Sequence, residues 1–143
     1  DFTEGAKDGI RTAVKILPTL AGLMIGVGIL RASGFLDFLT DGLSFLTEKI
    51  GFPSQLVPMV VVKMFSSSAA TGLLLDVYSQ YGTDSRIGTT ASLIMSSTET
   101  IFYTMSIYFM SVKIKKTRWT LAGALTASLA GVAASTWLGM AGG

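Results

Sequence analysis

A carboxylate, a lysine and two runs of hydroxyls are the groups in this chain with chemistry to offer. Glu99 lies within GTTASLIMSSTETIFYTMSIYFM, residues 88–110, flanked by Ser96, Ser97, Thr98 and Thr100, with Tyr103 one turn later. A charge at the centre of an apolar span costs roughly 2.5–3.5 kcal/mol, so Glu99 must face a wet cavity, be paired or carry a proton. Packing alone would need one hydrogen bond between helices, whereas the polar run extends from Ser96 to Thr100. The favoured reading is a substrate or ion site, with the hydroxyls of Ser67, Ser97 and Thr98 beside Glu99. A second run, Ser66, Ser67, Ser68 and Thr71 followed by Gly72, lies between two short apolar arms. A helix interrupted there exposes amides and carbonyls that hold a polar ligand or an ion, or else the serines only cap the turn. Lys63, just upstream, is the available partner for Glu99 or for an anionic ligand; alternatively it snorkels. Asp76 reads as a marker of the membrane interface.

What the chain lacks narrows the chemistry. It has no cysteine and no histidine, which removes thiolate nucleophiles, Ser-His catalysis and thiolate or imidazole metal sites. No catalytic residue, metal ligand set or cofactor is expected. The rival reading, an intramembrane enzyme with Glu99 as general base, has no histidine, cysteine or evident nucleophile-base pair to accompany it. A third class is a structural subunit of a membrane assembly. The net charge of +2 is small and dispersed, so no nucleic-acid partner is expected.

These groups sit on an all-α integral membrane framework. The chain is 50% hydrophobic and 14% charged, against about 25% charged in a soluble domain. Nothing between Ile16 and Leu30, and nothing from Trp119 to Gly143, is charged, and both gaps are close to membrane-spanning length. Such segments have lipid or other membrane helices around them.

The chain reads as a single membrane domain, 1–143, beginning with an N-terminal helix and first span over 1–30. Phe2 to Lys15 suits an interfacial helix that feeds the span Ile16–Leu30, where Gly22 and Gly26 form a small-xxx-small pair. An amphipathic interfacial helix follows over 34–50. Residues 53–82 are either one span with a polar middle or a re-entrant helical hairpin with the serine-rich stretch at its tip; the hairpin is favoured. A broken transmembrane helix over 87–112 leads to the basic run SVKIKKTR, and the last span covers 119–140. There Gly123, Ala127, Gly131 and Ser135 recur at intervals of four, lining up for close helix contact. With a cytoplasmic N-terminus, Lys7, Arg11, Lys15 and the basic run all lie inside, as the positive-inside rule prefers. That topology needs an even number of crossings between Arg31 and Arg86, which a re-entrant hairpin supplies. The first residue is Asp1, which leaves open what precedes it.

The order EGAKDGIRTAVKILPTL, KMFSSSAATGLLLDV and GTDSRIGTTASLIMSSTETIFYT resembles the spore maturation protein B family, whose members carry the nucleoside-recognition or Gate domain. The likeness runs over essentially the whole chain. The Gate domain is also similar to parts of the concentrative nucleoside transporters and of the ferrous iron permeases. The resemblance implies a fold like one of two inverted repeats in the nucleoside transporters, where the hairpin tip and the break in the next helix contribute to substrate and ion binding. These map onto Ser66 to Gly72 and Ser96 to Thr100. It also implies a link to spore maturation and core dehydration, and a place in the bacterial cytoplasmic membrane as a multi-pass protein in contact with lipid. A single repeat needs another to complete it. The expected partner is a sister spore maturation protein of A type, or a second copy, and the expected cargo a small polar solute.

Overall fold

Helix α1 runs unbroken from Phe2 to Ala32 in the computed structural model, which describes residues 2–113 and 116–141. Its 31 residues reach about 46 Å at 1.5 Å each. The charged stretch expected to lie apart as an interfacial helix is therefore continuous with the apolar span. No capping residue separates Lys15 from Ile16, and Pro18 removes only one N–H from the ladder. Gly34, at φ +75°, ends α1 and turns the chain, a conformation glycine adopts without strain. Helix α2, Phe35–Ile50, buries Leu36 and Thr47 and exposes Phe38 and Phe45, with the Lys49 ammonium 4.2 Å from the Phe45 ring centre.

A 3-10 turn at Ser54–Leu56 leads into α3, Val57–Lys63, with Pro58 in its first turn, where a missing N–H costs nothing. The chain then breaks over Met64–Ser66 and resumes as α4, Ser67–Tyr81. The break thus takes in only the first residue of the serine run, Ser66. Ser66 adopts extended backbone and its hydroxyl accepts from the Ala69 amide at 3.2 Å, so it caps α4, and the remaining hydroxyls lie within the helix.

The two ends of this α3–α4 hairpin lie together. Gln55, Pro58 and Met59 from its start and Asp76, Val77 and Tyr81 from its finish line one pocket of about 110 Å³ with Arg31, and Arg31 pairs with Asp76. Helix α4 runs parallel to the second half of α1: a Cβ on Gly72 would sit 3.0 Å from Val27 Cγ2 and 3.3 Å from Leu23 Cβ. Gly22, Gly26 and Gly28, expected to provide the close approach, have nothing near their Cβ positions. Leu23 and Val27 form the contact because they lie on the side of α1 that meets α4.

Helix α5, Arg86–Ser97, is capped by Ser85, whose hydroxyl accepts from the Gly88 amide at 2.9 Å. The chain leaves helical geometry at Thr98–Thr100 and resumes as α6, Ile101–Ser111. Part of the basic run that follows, Lys115 included, lies outside the described residues. Helix α7, Thr120–Ala141, packs antiparallel on α5. A Cβ on Gly131 would meet the Ser97 carbonyl oxygen at 3.2 Å, and one on Gly139 would meet Thr90 Oγ1 at 2.2 Å. Of the expected small-residue face, Gly131 and Ser135 make this contact together with Gly139, while Gly123 and Ala127 are exposed.

All regular structure among the described residues is helical. The core is small, built from Val27, Leu36, Leu56, Met59, Leu73, Val77, Ala91 and Ile94. Around it Ile25, Ile29, Phe38, Tyr108, Leu129 and Trp137 stand open, far more apolar surface than a soluble monomer leaves in water. Helices α1 and α7 are each long and apolar enough to cross a membrane.

Candidate functional site

The hairpin tip lies against the break between α5 and α6, and it supplies a partner to each cut end. At the end of α5, Lys63 Nζ donates to the carbonyl oxygens of Ile94 at 3.0 Å and Met95 at 2.6 Å. At the start of α6, the Phe102 amide donates to the Met64 carbonyl at 3.1 Å. A helix leaves its last carbonyls and first amides without internal partners, and carries roughly half a negative charge at its C-terminal end and half a positive one at its N-terminal end. The tip places a cation at the first of these ends and a carbonyl oxygen at the second. The rings of Phe65 and Phe102 stack beside this exchange, 4.7 Å apart and 12° from parallel.

Lys63 is only 4% exposed. A buried ammonium costs several kcal/mol unless its protons are bonded, and the two carbonyls meet that need. Its contact is with main-chain oxygens, not the carboxylate or the snorkelled solvent position expected from the sequence. Thr98 Oγ1 also donates to the Ile94 carbonyl, at 2.7 Å.

Glu99 lies in the break itself and is exposed. With Lys63, Thr98, Ser128, Val60, Met64 and Val132 it lines a cavity of about 10 Å³, on the order of what one water needs. The crossing thus gathers Lys63, Thr98 and Glu99, and adds Ser128 and Val132 of α7, which carried no signal in the sequence. Phe65 and Phe102 also carried little signal: Phe65 directly precedes one polar run and Phe102 follows the other by two residues.

The other candidates are placed elsewhere. Ser66 caps α4, Thr71 Oγ1 donates to the Ser67 carbonyl at 3.0 Å, and Ser67 and Ser68 are exposed. Gly72 packs on α1. Ser96 Oγ donates to the Leu93 carbonyl at 3.0 Å, and the hydroxyls of Ser97 and Ser135 share a hydrogen bond of 2.7 Å that ties α5 to α7. Thr100 is buried, and Tyr103 is exposed away from the cavity lining. The Ser67 and Ser97 hydroxyls expected beside Glu99 are therefore not among the groups lining its cavity.

Compared with known proteins, residues 13–115 match the Gate family, described as nucleoside recognition. That segment holds the hairpin, both breaks and Glu99, and leaves α7 outside it. Spore maturation protein B of Bacillus subtilis (strain 168) is 41% identical over 134 residues, which cover 94% of this chain and 75% of that protein. No solved structure matches the chain.

Proposed function

The chain belongs to the spore maturation protein B family of Gate-domain membrane proteins, and on that premise we propose that it is one half of a membrane transport assembly for small polar solutes of nucleoside-like type. The observation that carries this reading is the crossing of two helix breaks at Met64–Ser66 and Thr98–Thr100. Broken helices crossing between apolar segments are how transporters build a polar centre at membrane depth. Glu99 offers a carboxylate acceptor there, and the free faces of the Phe65 and Phe102 rings offer a flat surface on which a planar heterocycle stacks.

A cavity of about 10 Å³ does not enclose a nucleoside, and an exposed carboxylate is costly within a membrane. Both features support an assembly closed by a second repeat. The preferred partner is the A-type sister protein, inserted with related inverted architecture; a second copy in the opposite orientation conflicts with the positive-inside charge bias. In this reading the N-terminus is cytoplasmic, the α3–α4 hairpin enters and leaves from the outer side, and the assembly serves spore maturation, as the name of the Bacillus subtilis relative indicates. No reaction is assigned to Glu99, since neither histidine nor cysteine is present to act with it.

Flux of labelled nucleosides into proteoliposomes holding the chain together with its A-type partner tests the reading. Saturable uptake that Glu99→Gln abolishes is expected. Absence of uptake across nucleosides, nucleobases and small polar metabolites sinks it and leaves the structural-subunit class.

A further inference from the structure

We infer that Lys63 is a tethered cation: its ammonium fills the carbonyl cradle at the cut end of α5, the kind of place in which a half-helix holds a mobile ion, so the crossing is built to work without one. Opened C-terminal helix ends attract cations because their last carbonyls are unpaired and the helix dipole is negative there. In transporters with broken helices such ends commonly coordinate sodium or a proton. Here the oxygens of Ile94 and Met95 already hold the Lys63 ammonium, at 3.0 and 2.6 Å, and the Ile94 oxygen also takes the Thr98 hydroxyl at 2.7 Å.

The space left over does not fit a hydrated second cation. The cavity beside Lys63 amounts to about 10 Å³, on the order of a single water, and an inorganic cation entering it would face the ammonium directly. The Glu99 carboxylate lines the same cavity, so an acidic group already stands near the ammonium. A tethered ammonium keeps a fixed positive charge at the end of α5, which holds the break open at no cost in ion binding. This inference rests on the proposed function only in taking the crossing as the solute site, and its test reads stability rather than flux.

The full-length protein, purified in one detergent, is melted in sodium, potassium, methylammonium and choline chloride at a single ionic strength. The wild type should unfold at one temperature in all of them; a rise specific to sodium or potassium overturns the inference. Lys63→Ala, which empties the cradle, should melt several degrees lower in choline chloride and recover part of the loss in methylammonium or sodium chloride. An unchanged midpoint, or a loss that none of the three small cations repairs, overturns it. Lys63→Gln covers the case in which the alanine variant does not fold. It keeps donors for the carbonyls and loses the charge, so it should melt below the wild type without a cation response, and a wild-type midpoint for it overturns the role of charge. Failure of the transport reading would appear instead as absent flux with this melting series unaltered.

Discussion

The amide of Phe102 donates to the carbonyl of Met64, so the first turn of α6 is anchored by the tip of the α3–α4 hairpin rather than by a cap of its own. Thr100, at the N-cap position, makes no side-chain capping bond. With Lys63 at the end of α5, the tip is bonded on both sides of the break. Any motion of the hairpin relative to α5 and α6 must therefore break these hydrogen bonds.

Replacing Phe102 by alanine keeps its amide bond to Met64 and removes its stacking on Phe65. A stability loss of about 1–2 kcal/mol is expected from the lost pair and its buried area. Thermal melting measures that part, and equilibrium binding of a nucleoside to the assembled complex should weaken beyond it. Binding that follows stability alone would mean that the ring pair only packs.

Glu99 is exposed, so Glu99→Gln should change folding stability by no more than about 0.5 kcal/mol. Solute binding should fall about tenfold or more, as expected when a charge-assisted hydrogen bond is lost. Melting and isothermal binding titration on the same preparation separate the two quantities.

The register of α7 on α5 predicts opposite outcomes for two glycines on one helix. At Gly139 an added Cβ falls 2.2 Å from Thr90 Oγ1 and 2.9 Å from its Cα, and that hydroxyl is held by the Arg86 carbonyl at 2.7 Å. Gly139→Ala should cost about 1–3 kcal/mol through overpacking. Gly123→Ala, with nothing near its Cβ position, should be neutral or stabilise by up to about 1 kcal/mol through helix propensity. Equal melting temperatures for the two variants would contradict this packing.

Cysteine labelling checks the proposed topology in a chain that has no native thiol. Gln55→Cys and Thr83→Cys flank the hairpin at exposed positions, and Thr117→Cys marks the loop before α7. An impermeant maleimide added to right-side-out vesicles should label the first two and leave Thr117→Cys untouched until the membrane is opened. Labelling of Gln55→Cys and Thr83→Cys from opposite sides would make residues 53–82 a spanning segment.

The helical class, the membrane character and the family were all legible in the sequence, because each is written locally. Charge gaps such as Trp119–Gly143 and polar runs such as Ser96–Thr100 need no knowledge of what lies opposite. What Lys63 binds was not legible: its partners are the main-chain oxygens of Ile94 and Met95, and a carbonyl exposed by a helix break has no residue type to announce it. The choice among small residues was equally hidden. Gly22 and Gly26 promised a close contact that Gly72 makes instead, and Gly123 and Ala127 lie on the pattern but off the interface, because the rotation and register of packed helices decide which side of each is covered. Composition and periodicity determined that this chain is helical, with long apolar segments of membrane character and polar interruptions between them. Only the tertiary structure decided that two interruptions cross, since each cut helix end needs a partner and the groups that satisfy it come from residues some thirty positions away.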